Sequence, residues 1–452
     1  MKRILLSGTM FLAALSAMNA VEPVKDPATY SPVEGTYFKS LWMYSPKTEN
    51  AHPMMNTGNT RGICCVDDKV YLPLKGDSDK SISHQINEFD ANTGAFLKTY
   101  TLPLTVNGNT PGMHLNDLQA DSKGNLAACN IVSNIQTGKF YVWRMKKGAY
   151  DKPEELLAWT WGDQGQDALR IDYFDVFGDV YGDGYILATV NGLIENYSNI
   201  VFKWNIVNGV ASTEAEQIWA QEYVPAQIKT NGSAPRVRAI SADGFYLDPS
   251  NAHPSYYDWD GNKVDGFDVT KVSTKSAGVN GVDEFELGGR RFLVAGTNNH
   301  GVLAGYQKNI AEVFDITDGM AAAKSLQIFP KNGLGDVSNI GQTVKPVVRK
   351  IDANTVDLIV QAYGNGAAAY RFSLEPLSVD AEKMSAMNIH LAGSELVFSE
   401  EAAKVDVYAV AGNCVAQFAN VNRANLSLVK GIYIVKAMDM AGKTKVQKIV
   451  VE

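Results

Sequence analysis

Helical periodicity is missing from this chain. So is any apolar run, after the first twenty residues, long enough to cross a bilayer. Cysteine is scarce: Cys64, Cys65, Cys129 and Cys414 are the full set in 452 residues, too few for a disulfide framework and without C-x-x-C metal spacing. Cys64 or Cys65 could pair with Cys129 in an oxidising compartment, but buried small hydrophobes in strands are the simpler reading. Positive charge is also short. The net charge is −8 and the isoelectric point near 5.4, with no Lys/Arg cluster, so a nucleic-acid partner is excluded. No G-x-S-x-G elbow, H-E-x-x-H helix or G-x-x-x-x-G-K-[ST] loop occurs, and no catalytic set is recognisable.

What is present is a folded composition, 45% hydrophobic and 20% charged, over a length that one ordinary core does not fill. The first residues, MKRILLSGTMFLAALSAMNA, place Lys2 and Arg3 before an apolar stretch from Ile4 to Leu15 and small residues around Ala17 to Ala20. That pattern predicts a signal peptide over 1–20 and an exported protein with no transmembrane segment.

Between residues 60 and 375 one plan recurs: a tight polar turn, then a short apolar strand. The copies are VDDKVYLPL, ADSKGNLAAC, YGDGYILATV, SADGFYLD, LGGRRFLVAG and DANTVDLIVQ. Taking Val70, Leu126, Ile186, Phe245, Phe292 and Val356 as equivalent, the steps are 56, 60, 59, 47 and 64 residues. A second signature follows each copy, a strand with an aromatic beside a polar turn, as in INEFDANTG, VFKWNIVNG and AEVFDITDG. Two hairpins per unit over six units predict an all-β, six-bladed β-propeller over 36–375, with seven blades as the alternative. The sixth unit lacks its outer strand. The segment TYFKSLWMYS at 36–45 is predicted to supply it, beside 368–374, and so to cover an open sheet edge. Pro73, inside a predicted strand, fits this plan least well.

Turns within hairpins are minimal, whereas the segments leading into the innermost strands and those joining second to third strands are long. In a propeller both long sets emerge on one face, around the channel mouth, which makes that face the candidate site. Arg61, Arg170, Arg236 and Arg238 enter near the starts of innermost strands, with Asn116, Asp117, Asp172, Asp283 and Gln342 at comparable places. Converging arginines suit a carboxylate or sulfate. The same residues could instead pair with those acids and brace neighbouring sheets. Of six histidines, His52, His84, His114, His253 and His300 lie in the long segments, yet in different units, which favours scattered hydrogen-bonding roles over a shared metal. Tyr197, Tyr256, Tyr257 and Trp259 could stack on sugars or fill the core. The ligand-binding candidates are therefore Arg61, His114, Asn116, Arg170, Asp172, Arg236, Asp283 and Gln342.

Residues 114–130, HLNDLQADSKGNLAACN, resemble the Asn-Asp, Asp-x-x-Gly-Asn pattern of six-bladed lactonase-type propellers. That resemblance implies Asn116 as a ligand of a central divalent cation, and with it the alternative of a metal-dependent hydrolase. The repeated Ser-x-Asp-x-Gly-x-x-Trp boxes of sialidase-like propellers are missing.

After Phe372 the repeat ends, and residues 376–388 read as a linker. From 389 to 452 short alternating strands predict a small β-sandwich. Val405-Asp406-Val407-Tyr408, Gly412, Leu426-Ser427-Leu428, Gly431-Ile432-Tyr433-Ile434-Val435 and Lys448-Ile449-Val450-Val451 resemble the type A C-terminal sorting domain of the type IX secretion system of Bacteroidota. The resemblance implies that the secretion machinery is a partner, with delivery to the outer-membrane surface or the exterior. The expected function is thus non-catalytic binding of a glycan, peptide or protein ligand at the long-loop face. A purely structural surface or adhesion role is the further alternative.

Overall fold

The computed structural model describes residues 21–55, 60–76, 83–104, 115–165, 169–190, 200–221, 236–248, 253–268, 279–297, 309–337, 344–377, 387–410 and 413–451. The expected signal peptide and most of the linker lie outside them. The chain divides into two compact units, Met1–Glu375 and Pro376–Glu452.

The first unit is built of antiparallel sheets, with short 3₁₀ turns and no α-helix among the described residues. Tyr37–Tyr44 (β1) is set aside by the chain for its last sheet. Cys64–Val66 (β2), Lys69–Leu74 (β3), Gln85–Asp90 (β4) and Phe96–Thr101 (β5) pair in order, and so do Asp117–Ala120 (β6), Leu126–Cys129 (β7), Phe140–Met145 (β8) and Glu154–Trp159 (β9). In the next sheet Phe174–Gly178 (β10), Gly184–Thr189 (β11) and Ile200–Val207 (β12) are followed by two short pieces, Val210–Ala211 (β13) and Glu216–Trp219 (β14), which both pair with β12. Arg236–Ala239 (β15), Gly244–Asp248 (β16), Ser255–Asp258 (β17) and Lys263–Gly266 (β18) form the fourth sheet. Val279–Leu287 (β19), Arg290–Thr297 (β20), Ile310–Asp315 (β21) and Lys324–Phe329 (β22) form the fifth. Val344–Lys350 (β23), Thr355–Ala362 (β24) and Gly366–Ser373 (β25) take β1 as their fourth strand, in the order β1-β25-β24-β23.

The first strands of these sheets touch one another in succession: β2 with β6, β6 with β10, β10 with β15, β15 with β19, β19 with β23, and β23 with β2. The arrangement is propeller-like. Middle strands are sandwiched between neighbouring sheets and are buried on both faces, which explains runs such as Leu126-Ala127-Ala128-Cys129 with no polar alternation. Between the second and third sheets Phe140, Trp159, Phe174, Phe202 and Trp204 fill one such core. Pro73 is tolerated because β2 ends opposite Tyr71, so at Pro73 the strand has a neighbour on one side only.

Aspartate fixes the recurring hairpin turns. Asp121 Oδ1 accepts the Lys123 and Asn125 amide N–H groups at 2.8 Å each, and Asp258 Oδ1 does the same for Asp260 and Asn262 at 3.0 and 2.8 Å. Asp121 also reaches sideways, its Oδ2 accepting the Val180 N–H of the next sheet at 3.0 Å.

β1 pairs with β25 from Tyr37 opposite Ser373 to Tyr44 opposite Ala367, with one irregularity between Ser40 and Trp42. Phe38, Trp42, Met43 and Tyr44 are buried. Trp42 leaves its own sheet and donates from Nε1 to Ala91 O at 2.8 Å, and Tyr44 Oη donates to Gly94 O at 3.0 Å, so the last sheet is fastened to the first. Gly94 is in the left-handed region (φ 76°), and a Cβ there would stand 2.7 Å from the indole.

In the second unit Ile389–Ala392 (β26), Glu395–Ala409 (β27), Cys414–Asn425 (β28), Gly431–Asp439 (β29) and Thr444–Val451 (β30) form one antiparallel sheet among the described residues. The long strand β27 pairs with β28 along one edge. On its other edge it meets β26 near its start and β29 near its end. Leu396, Phe398, Val405, Val407, Tyr433, Val435 and Ile449 make its core.

Candidate functional site

Three aspartates repeat one local device on the first strands of the second, third and fifth sheets. Asp117, Asp175 and Asp283 each turn Oδ1 back to the N–H of the following residue, at 2.9, 2.9 and 3.0 Å. The remaining lone pairs reach across to other sheets. Asp175 Oδ2 accepts Ala239 N–H at 2.7 Å and Arg238 Nη1 at 2.9 Å; Arg238 Nε donates to Asp283 Oδ1 at 3.0 Å; Asp283 Oδ2 accepts Val348 N–H at 3.0 Å. Asp117 carries the heaviest load. Its Oδ2 accepts Arg236 Nη1 at 2.9 Å and its Oδ1 accepts Lys345 Nζ at 3.2 Å, so strands β6, β15 and β23 meet at one carboxylate. Gly62 adjoins it, where any Cβ would stand 2.3 Å from Asp117 Oδ1.

Burial pushes the Lys345 ammonium below the ordinary lysine range, and Asp117 opposes that shift. Asp248, paired with Arg236 across β15 and β16, is also fully buried. One of its oxygens accepts the Gly281 N–H, and Oδ1 has no hydrogen-bond partner among the described residues. Burial raises its carboxyl well above the usual range, against the pull of the Gly281 N–H and of Arg236. A cavity of about 80 Å³ opens beside these groups, lined by Cys64, Gln119, Arg238, Asp283, Lys345 and Val347 among others.

A second polar cluster surrounds Asp172, just before β10. Arg170 grips this carboxylate with Nε at 2.7 Å and Nη2 at 2.5 Å. Asn116 Nδ2 donates to Asp172 O at 2.5 Å, which leaves Asn116 Oδ1 buried with no partner among the described residues. Arg61 Nη1 stands 3.9 Å from Asp172 Oδ1, beyond hydrogen-bond reach, and Arg61 lies over the Tyr363 ring at 4.7 Å. Arg61 Nε and Nη1 are both buried without an acceptor among the described residues. Arg236 lies 3.7 Å over the Tyr173 ring, whose hydroxyl is likewise buried and unpartnered among the described residues. Burial raises that phenol to about 12, with Arg236 and Arg61 pulling it back.

Of the residues expected from the sequence, Arg61, Asn116, Arg170 and Asp172 are brought together, and Arg236 joins them through Tyr173. Asp283 is a brace between sheets, as is Arg238. His114, Gln342, His300 and Tyr197 lie outside the described residues. His52 is buried, its Nδ1 accepting Met54 N–H at 3.2 Å, and its ring meets Phe89 edge-on; His84 Nδ1 accepts Gly76 N–H at 3.0 Å; His253 packs on Phe267. Tyr257 is in the core and Trp259 packs on Phe245 and Tyr185, donating to Ala242 O at 2.6 Å. All four cysteines are free thiols, so the Cys64 or Cys65 pairing with Cys129 is not formed. Among the described residues no three His, Cys, Asp or Glu side chains converge on a metal position. Around Asn116 the flanking carboxylates, Asp117 and Asp172, already hold cationic partners, and that donor set does not fit a divalent cation. Lys345, Tyr173 and Asp248 were not foreseen. A lysine one residue into the apolar strand VKPVV was the available signal for the first.

No family model matches the chain, and no curated protein matches it. Solved structures do. A protein of the DUF4623 family from Bacteroides eggerthii is similar over 76% of this chain and 77% of its own, at 14% identity and a TM-score of 0.56. The α-L-arabinofuranosidase Arb93A of Fusarium graminearum, solved with an iminosugar inhibitor, covers 76% of this chain and 97% of its own at 10% identity and a TM-score of 0.45. The β-propeller domain of Cps50 (Swd1) from Myceliophthora thermophila covers 87% and 97%, at 9% identity and a TM-score of 0.35. At these identities the likeness concerns the fold alone.

Proposed function

We propose that this chain is an exported six-bladed propeller that binds a glycan, peptide or protein ligand non-catalytically at one mouth of its channel. A type IX sorting module, a small β-sandwich, follows the propeller and delivers it to the cell surface or the exterior. The observation that carries the binding reading is the cluster of Arg61, Asn116 and Tyr173, whose polar atoms are shielded yet lack partners among the described residues. Buried groups left in that state cost free energy, and a ligand that supplied the missing partners would recover it. The sorting reading draws support from where the motif residues sit. Val405 and Val407 are buried on β27, Gly431–Val435 lies on β29, and Lys448–Val451 ends β30.

Two measurements test this. In a Bacteroidota host, removal of residues 389–452 is expected to strand the protein in the periplasm; unchanged appearance outside the cell sinks the sorting reading. Screening the full chain on glycan and peptide arrays is expected to give saturable binding that Arg61→Ala weakens. An array without any saturable ligand sinks the binding reading.

A further inference from the structure

Strand β30 is an open edge of the second unit, built unlike the other edge of the same sheet. It pairs with β29 alone, in unbroken register from Gly431 opposite Val451 to Met438 opposite Thr444. Its outer row of backbone N–H and C=O groups therefore has no strand partner among the described residues. On the other edge, β28 pairs with β27 through two irregularities, Asn420 sits in the left-handed region (φ 52°), and Gln417, Asn422, Arg423 and Asn425 are exposed. Bulges and polar side chains spoil an edge for further pairing. β30 has a regular ladder and apolar side chains instead. Val446 and Val450 are 55% and 54% exposed, and Ile432, directly opposite Val450, is 42% exposed. An apolar groove of about 520 Å³ adjoins the end of the strand, lined by Leu391, Leu426, Leu428, Val450 and Val451 among others. Exposed apolar surface of this kind gains by being covered.

Charge selects what covers it. Lys445 and Lys448 stand on β30, Lys443 comes just before it, and the strand contains no acid. The ion pairs of this unit among the described residues, Lys404 with Asp406 and Arg423 with Glu395, involve none of the three. A second copy of this chain would bring the same lysines to the edge, and like charges placed opposite one another repel. Lysines on an edge thus discourage pairing with itself while admitting a strand of opposite charge.

We infer that β30 is a strand-addition site for an extended, apolar segment of another protein that carries acidic side chains. Main-chain hydrogen bonds to the open edge hold the segment, its apolar side chains cover Ile432, Val446, Val450 and the groove, and its acids meet Lys445 and Lys448. This deepens the sorting reading, in which the partner is a component of the secretion machinery.

The test uses the full chain and three labelled nine-residue peptides, read by fluorescence anisotropy. One is built of valine, isoleucine and threonine with three glutamates; one has lysines in place of the glutamates; one is the acidic peptide with every second backbone nitrogen methylated. The acidic peptide is expected to bind saturably and tenfold or more tightly than either of the others. The double variant Lys445→Glu, Lys448→Glu changes two side chains outside the core and is expected to reverse the preference, taking the lysine peptide better than the acidic one. The inference is overturned if the acidic peptide does not saturate, if the lysine or methylated peptide binds as well, or if the double variant keeps the original preference. It is equally overturned if the parent chain forms dimers in sedimentation that the acidic peptide dissolves, since a second copy is then the occupant. Export of the chain lacking residues 389–452 decides the sorting reading and the peptides decide the edge, so either can fail alone.

Discussion

Trp42→Ala is the substitution that most directly probes how the first unit is closed. Trp42 stands on β1, 1% exposed, in a cluster with Met55, Ile63, Val70, Phe89 and Ala369 that belongs partly to the first sheet and partly to the last. Burying an indole removes on the order of 200 Å² from water, worth about 5 kcal/mol at ~25 cal/mol/Å². That figure is an upper bound, because an unfolded chain already hides part of this surface. Truncations of buried aromatics cost about 3–5 kcal/mol. The hydrogen bond to Ala91 O adds about 1 kcal/mol when it is lost and the carbonyl stays buried. The expected loss is therefore about 4–6 kcal/mol. Trp42→Phe, which keeps most of the packing and drops the N–H, is expected to lose about 1–2 kcal/mol. Equilibrium urea unfolding of the full chain, followed by near-ultraviolet circular dichroism, reads these values. Leu97→Ala is the control, on β5 with 43% exposure, and is expected to lose under about 1 kcal/mol. If Trp42→Ala costs no more than Leu97→Ala, β1 does not hold the last sheet to the first and the closure argument fails.

Other outcomes follow from charges and thiols. Asp248 has a raised carboxyl in the fold, so its contribution is present at acid pH and is lost as pH rises through that raised value. Asp248→Asn fixes the neutral form; its melting temperature is expected to match the parent near about pH 3 and to exceed it increasingly toward neutrality, and a constant difference across pH refutes the assignment. Asp357 is buried and holds Arg349 Nη2 at 2.5 Å and Arg371 Nε at 2.8 Å. Asp357→Ala removes the carboxylate that both guanidinium groups share and is expected to cost about 3–5 kcal/mol in the same urea assay, with a cost under about 1 kcal/mol refuting the bracing role. With a thiol-specific chromogenic reagent, Cys414 is expected to react in the native chain and Cys64 and Cys129 only after unfolding, because burial raises both thiols. Rapid native labelling of Cys64 contradicts its placement.

The hairpins were legible because each announces itself twice, by a polar turn and by the apolar strand after it. Val70, Leu126, Ile186, Phe245, Phe292 and Val356 all fall on the second strand of their sheets, at β3, β7, β11, β16, β20 and β24. The pairing of 36–45 with the last strand was also legible, since an unfinished sheet leaves one open edge and one spare strand with the right alternation. The arginines were located correctly as a set but not sorted. Arg236 and Arg238 differ by two residues and point along one strand face, yet one meets Asp117 from β6 and the other bridges Asp175 and Asp283. Such partners are decided by which first strands the fold brings together, across more than a hundred residues of sequence in the case of Arg236 and Asp117. Lys345 was missed because an isolated lysine in an apolar strand reads as a solvent-facing edge; Asp117 and the Leu118 carbonyl, which accepts from Nζ at 2.9 Å, make its burial tolerable.

Tyr37 opens β1 directly opposite Ser373, near the end of β25. The first and last strands of the first unit therefore stand one strand spacing apart, about 5 Å, and run in opposite senses. A linker of a few residues could join them as an ordinary hairpin, and the chain could then be cut in another surface loop without unpairing a strand. The place where this ring is interrupted is thus a property of the gene's reading order and not of the architecture.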